Sequence, residues 1–128
     1  MKICITSQGK TLDSQVDPRF GRCAYFIFVD TESLEFEAIE NPSVQAFGGA
    51  GVQSGQLVAG KQVKAVLTGN VGPNAFQTIQ AAGVEVIAGV SGTVKEAVEK
   101  YKTGGFKPTQ GPSVGSKFGM PGKGNKEG

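Results

Sequence analysis

The stretch KAVLTGNVGPNAFQTIQAAGVEVIA, residues 64–88, decides the fold class. Two short apolar segments, Lys64–Thr68 and Val84–Ala88, flank Pro73–Ala82, where apolar residues recur at the spacing of a helix and proline stands at a favourable first position. A strand, a helix and a second strand joined by short links favour parallel strand pairing through a right-handed crossover. The stretch therefore predicts an α/β fold.

The segments on either side extend this pattern. Toward the N-terminus, Lys2–Ser7 and Tyr25–Asp30 read as buried strands, and Leu34–Glu40 alternates apolar and charged residues like a strand at a sheet edge. Toward the C-terminus, Thr93–Lys102 begins with capping-box spacing, and Gly51–Gly60 is a weaker helical pattern. We predict a five-stranded mixed sheet in the order 3-2-1-4-5, with the first strand central and helices on both faces.

Length and composition indicate one domain followed by a tail. Residues 1–103 of the 128 form the predicted domain, and residues 104–128 form a Gly/Pro/Lys tail with no apolar period, predicted to be disordered. The lysines of the tail are scattered and have no interleaved aromatics, which argues against nucleic acid as a partner. No apolar run approaches the roughly 20 residues of a membrane span. Two cysteines without a disulfide pattern favour a reducing, cytoplasmic compartment.

The segment Asp17–Cys23 is the main candidate for chemistry. Cys23 follows a turn and has Arg19 and Arg22 within four residues, and guanidinium charge favours the thiolate, which is the ligating form of cysteine. The chain has no histidine, and Cys4 lies in an apolar run. The pattern predicts that Cys23 is a metal ligand, although a free cysteine also commonly fills space in a core.

Glycine-rich loops follow the predicted strands that run parallel to the first strand. The carboxyl ends of such strands share one edge of the sheet, where ligands bind in open α/β folds. Helix N-termini and close backbone approach at this edge suit an anion. We therefore predict an anionic ligand held by backbone amides, the arginines and Cys23. The remaining predicted binding residues are Gly48, Gly49, Gly51, Gly69, Asn70, Gly72 and Asn74.

Several separate motifs, in order over residues 1–103, resemble the dinitrogenase iron–molybdenum cofactor biosynthesis domain, in particular its small stand-alone prokaryotic members. The motifs are Met1-Lys2-Ile3 with Ser7, Asp17–Arg22, Tyr25–Asp30, Glu40-Asn41-Pro42, Gly48–Gly51 and Thr68–Ala75. The resemblance implies a ribonuclease H-like three-layer fold. It also implies a non-enzymatic accessory protein that binds or carries an iron–sulfur or iron–molybdenum-type cluster, with an iron–sulfur carrier ATPase or a cluster scaffold protein as partner.

Two functional interpretations remain open from the residues. The first is a cluster carrier in which Cys23 is a ligand; a single cysteine cannot supply four thiolates, so external ligands, a second protomer or electrostatic retention would complete the site. The second is a protein-interaction or regulatory module that binds no metal. Catalysis ranks last, because no base, nucleophile and orienting group stand at a usable spacing.

Overall fold

The structure, a computed structural model, describes residues 1–42, 50–109 and 111. Five strands and three helices follow one another in the order that the sequence pattern indicates. They are β1 (Lys2–Ser7), β2 (Tyr25–Asp30), β3 (Phe36–Glu40), α1 (Ala50–Gly60), β4 (Ala65–Leu67), α2 (Pro73–Ala81), β5 (Glu85–Ile87) and α3 (Val94–Lys102). None of the helices in this described part of the chain is long and apolar enough to cross a membrane.

The strands form one mixed sheet in the order β3-β2-β1-β4-β5, which confirms the predicted order. β1 is central: it pairs antiparallel with β2 and parallel with β4, which in turn pairs parallel with β5. Because β3 is antiparallel to β2, it runs in the same direction as β1. The carboxyl ends of β1, β3, β4 and β5 and the start of β2 therefore lie along one edge of the sheet, which we call the rim.

Helices cover both faces, so the molecule has the predicted three layers. One core, here the α1/α2 core, packs Cys4, Phe26 and Val66 of the sheet against Val58 of α1 and Ile79 of α2. The alternate residues of the same strands point the other way. They build the α3 core, in which Ile3, Ile5, Ile27, Leu67 and Ile87 pack against Val94 and Val98. The arrangement is compatible with the ribonuclease H-like fold implied by the resemblance.

Local chemistry explains where the elements begin. The carboxylate of Asp30 accepts hydrogen bonds from the backbone N–H groups of Glu32 and Ser33, and Leu34 adopts a left-handed conformation with φ 65°. This turn delays the third strand until Phe36. At α3 the predicted capping box is present, since Thr93 and Glu96 each accept from the other's backbone N–H.

The chain continues to pack after α3, beyond the predicted domain boundary. Phe106 is half-buried against the α3 core, and Lys100 Nζ lies 4.8 Å from the centre of its ring. Thr109 donates its backbone N–H to Val86 O at 2.7 Å and accepts from the backbone N–H of Ala88 at 2.8 Å. Phe106 and Thr109 thus contact the folded domain, Thr109 at the outer edge of β5, while the disorder of residues 104–128 stays a prediction. The rest of the predicted tail lies outside the described residues, except for Gly111.

Candidate functional site

The segment from Asp17 to Cys23 crosses the rim and is fixed there by a buried polar network. The Thr6 hydroxyl donates to the backbone oxygen of Asp17 at 2.7 Å and lies 2.8 Å from the Thr68 hydroxyl. The backbone N–H of Asp17 donates to Thr6 O. Both threonines are fully buried at the ends of β1 and β4. Two strand ends thus hold the start of the segment.

The same segment is joined to the loop between β4 and α2. Asn70 donates its backbone N–H to Pro18 O at 2.8 Å and accepts from the backbone N–H of Phe20 at 3.2 Å. The contact at Gly69 is close: a Cβ there would lie 2.6 Å from Pro18 Cα and 3.0 Å from Pro18 O. Gly69 and Asn70 therefore position the arginine-bearing segment through their backbones.

Arg19 is exposed at the rim and partly oriented by a buried carboxylate. Its Nε lies 3.6 Å from Asp17 Oδ1; the Arg19 side chain is 57% exposed and that of Asp17 is 4% exposed. Asp17 also accepts from the backbone N–H groups of Arg19 and Ala24. Because the Arg19 side chain meets the carboxylate through Nε and is more than half exposed, its guanidinium can still contact an anion from solvent. Arg22 is half-buried in the same turn.

Cys23 is buried, contrary to the predicted reactive thiolate. Its side chain is fully buried in the α1/α2 core, and the amide nitrogen of Asn41 lies 2.9 Å from its backbone oxygen and 3.8 Å from its sulfur. Burial raises the pKa of the Cys23 thiol well above its usual range, and the Asp17 carboxylate raises it further. Arg19 and the Asn41 hydrogen bond oppose these effects only in part. The predicted thiolate character of Cys23 is therefore wrong: Arg19 favours the thiolate, but burial and Asp17 outweigh it.

The helix N-termini at the rim differ in what they can offer. At α3 the first backbone N–H groups are occupied: Val94 donates to Ser14 O, Lys95 to Leu12 O, and Glu96 to the Thr93 hydroxyl. At α2 the N-cap is Gly72, which supplies no side-chain cap, and Pro73 follows it. The first turn of α2 thus presents backbone donors at the rim, with Asn74 exposed beside them.

Only some of the predicted binding residues lie together at the rim. Gly69, Asn70, Gly72 and Asn74 share one loop and helix start at the rim beside Arg19, and Gly51 lies in the first turn of α1. Gly48 and Gly49 fall outside the described residues. Within the described ranges, no group of three or more histidine, cysteine, aspartate or glutamate side chains could hold a metal ion.

Sequence reasoning missed the polar residues that support the site. Thr6 is the last but one residue of β1, Thr68 directly follows β4, and Asn41 follows the edge strand β3. A polar residue at the carboxyl end of a buried strand is a usable signal, because burial there requires a hydrogen-bond partner.

Fold and rim together describe an α/β domain whose parallel strands end at one edge in glycine-containing loops, with no cluster of thiolates within the described residues. The dinitrogenase iron–molybdenum cofactor family matches residues 1–104, and the chain belongs to that family. Its fold is similar to the apo form of the orange protein from Desulfovibrio gigas, with 38% identity, a TM-score of 0.85, and 88% of this chain and 96% of the other covered.

Two further proteins from other organisms are similar over most of the chain. A Thermotoga protein, described as a candidate NifB protein, is 41% identical with a TM-score of 0.72, over 84% of this chain and 91% of its own. An uncharacterised protein of Methanocaldococcus jannaschii is 30% identical over 95 residues, which is 72% of this chain and 80% of that protein.

Proposed function

We propose that this protein is a non-enzymatic accessory protein that carries an anionic metal–sulfur cluster, of iron–sulfur or iron–molybdenum type, at the rim. The observation that carries the proposal is the position of Arg19. Its Nε lies 3.6 Å from a buried carboxylate, its side chain is 57% exposed, and it shares the rim with the start of α2, whose N-cap Gly72 supplies no side-chain cap. Membership of a cofactor family supports a metal–sulfur cargo over other anions.

The burial of Cys23 favours a cluster that has external ligands and is retained electrostatically over one completed by a second protomer. A buried, protonated thiol is a poor ligand, since metal binding requires the thiolate. The cargo therefore arrives with its own sulfide or thiolate ligands and is held by arginine charge and backbone N–H groups. This mode of binding leaves the cargo ready for transfer to a partner. An iron–sulfur carrier ATPase or a cluster scaffold protein in the cytoplasm is the partner we propose.

Anaerobic cluster retention tests the proposal. The protein is incubated with a synthetic iron–sulfur cluster bearing small thiolate ligands, or with isolated iron–molybdenum cofactor, and then desalted. Iron, molybdenum and sulfide are measured in the protein fraction. We expect retention by the wild-type protein, a loss of about tenfold or more in Arg19→Gln/Arg22→Gln, and weaker retention at high salt.

The matched control removes two positive charges from the opposite end of the sheet. Lys2 and Lys64 are exposed near the starts of β1 and β4, so Lys2→Gln/Lys64→Gln should retain the cluster like the wild type. Cys23→Ala should also retain it, because the thiol is not a ligand in this proposal. Equal loss in both double variants, or no retention by the wild type, would favour an interaction module that binds no metal.

A further inference from the structure

The outer edge of β3 differs from the outer edge of β5. At β5, Thr109 donates its backbone N–H to Val86 O at 2.7 Å and so covers the edge. At β3, no other strand of the described residues pairs on the outer side. Phe36, the first residue of β3, is 42% exposed. One side of the sheet is thus closed by the chain itself, whereas the described part of the chain leaves the other side open.

The pairing between β2 and β3 determines which backbone groups of β3 face outward. At its two ends, Asp30 donates its backbone N–H to Glu35 O, and Asn41 donates its own to Ala24 O. Hydrogen-bonded and non-bonded pairs alternate along antiparallel strands, so every second residue of β3 directs its N–H and C=O away from β2. These outward residues are Phe36, Ala38 and Glu40. Such a row of backbone groups is a template for a further strand.

The chain around this edge is strongly acidic. Residues 30–40 contain five of the eleven acidic residues of the chain and no lysine or arginine. Four of them are glutamates at exposed positions, Glu32, Glu35, Glu37 and Glu40. Lys61 offsets part of this charge, since its Nζ lies 3.7 Å from Glu37 Oε1. Two copies of this chain would bring like charges together across the edge, which is unfavourable, whereas a basic segment would be attracted.

We propose that the outer edge of β3 is a docking site for an extended, lysine- or arginine-bearing segment of a partner protein, which adds to the sheet as a further strand. Backbone hydrogen bonds to the outward residues would supply affinity, and the glutamates would select a basic segment. Phe36 offers an apolar contact on the same face as Ala38. This inference goes beyond the carrier role, because docking requires no cargo.

A strand docked on β3 would lie close to the arginine-bearing segment. β3 ends at the rim, and Asn41 directly follows it. The side-chain amide of Asn41 donates to Gly21 O at 3.1 Å and to Cys23 O at 2.9 Å. The end of the docking edge is therefore joined to the segment that carries Arg19, so a partner bound there is placed beside the rim.

Hydrogen exchange followed by NMR tests the docking directly. The probe is a short peptide of alternating lysine and valine, added to the full chain at low salt. In the free protein the amides of Phe36, Ala38 and Glu40 should exchange fast, and saturating peptide should slow them about tenfold or more. A peptide of the same residues, N-methylated on the backbone at every second position, keeps the charge and loses the hydrogen bonds. It should give no protection.

Charge variants test the role of the glutamates. Glu35→Gln/Glu40→Gln removes two charges from the edge, so the dissociation constant of the lysine–valine peptide should rise about three- to tenfold. The matched control, Glu85→Gln/Glu99→Gln, removes two exposed charges from β5 and α3 and should leave the constant within about twofold. All four side chains are exposed, so both variants should melt close to the wild type.

Another occupant of the edge would overturn the proposal. Protection of the three outward amides in the free full chain, lost in a chain that ends at Gly111, would assign the edge to residues after Gly111. Protection that grows with protein concentration would assign it to a second copy. Unchanged exchange with the lysine–valine peptide, or equal weakening in both double variants, would show that β3 does not select a basic strand.

The outcome is separable from that of the proposed function. If the wild type retains clusters and the peptide leaves the exchange of β3 unchanged, the docking site is wrong and the carrier role stands. If the peptide protects β3 and no cluster is retained, the docking site stands and the protein is an interaction module.

Discussion

Desolvation and the nearby Asp17 carboxylate raise the pKa of the Cys23 thiol, and they outweigh the lowering by the positive charge of Arg19. The thiol is packed in a core where the charged form loses its hydration, and Asp17 lies on the same segment. Cys4 is also fully buried, and burial raises the pKa of its thiol well above the usual range. Both side chains are therefore structural thiols in the folded protein.

We accordingly expect neither thiol to react in the native state. Titration with an aromatic disulfide reagent at pH 7.5 should detect no rapidly reacting thiol in the folded protein and two after unfolding in urea. Their common rate should follow the unfolding equilibrium, because reagent and thiolate meet only when the core opens. Fast modification of one thiol, lost in Cys23→Ala, would show that Cys23 is accessible after all.

The same raised pKa values predict that stability falls at alkaline pH. Above the unfolded-state pKa of about 8.5, the unfolded chain releases thiol protons that the folded protein retains, so rising pH favours unfolding. Two thiols would contribute a slope of up to about 2.7 kcal/mol per pH unit. Urea unfolding measured from pH 7.5 to 10 checks this, and Cys23→Ala should lose about half of the slope. A flat profile would contradict the burial of the thiols.

At the scale of elements, the rim depends on a close contact between two loops. A methyl group at Gly69 would meet backbone atoms of Pro18, so Gly69→Ala must push the Asp17–Cys23 segment away from β4. We expect a loss of about 1–3 kcal/mol in unfolding free energy, as for other overpacked sites. Gly72→Ala is the control: nothing lies within 4 Å of its Cβ position and its φ is −84°. It should cost less than about 1 kcal/mol.

Urea denaturation of the two alanine variants compares them directly. If both lose the same stability, the tight contact at Gly69 is not what fixes the loop. In Gly69→Ala, the loss of unfolding free energy should be accompanied by shifts in the amide resonances of Asn70 and Phe20, whose hydrogen bonds join the two loops.

The elements were predictable because each carries a local signal, whereas the state of the site depends on distant groups. Apolar spacing and the Thr93 capping box predict α3, and the buried run of β1 predicts its central place. The environment of Cys23 depends on Asn41 and on helices α1 and α2, which are distant in sequence and which no local pattern near Cys23 encodes. The two arginines near Cys23 are visible in the sequence, whereas the burial of its thiol is not.

At the scale of the whole molecule, residues after α3 cover the outer edge of the sheet at β5. The described strand β5 is short, and its outer edge would otherwise present unpaired backbone groups. Thr109 covers that edge with two hydrogen bonds, to Val86 and from Ala88, and Phe106 closes the end of the α3 core. Composition alone suggested disorder from Gly104, because glycine and proline content says nothing of single anchoring residues.

Truncation separates the two interpretations of this segment. A chain ending at Thr103 loses a half-buried aromatic ring and two hydrogen bonds, together worth about 1–2 kcal/mol. We expect its thermal midpoint to fall by about 5 °C or more. A chain ending at Gly111 retains both anchors and should melt like the full chain, and Phe106→Ala should reproduce part of the loss. Equal midpoints for the two truncated chains would mean that the contacts along β5 contribute no stability, and that the domain ends with α3.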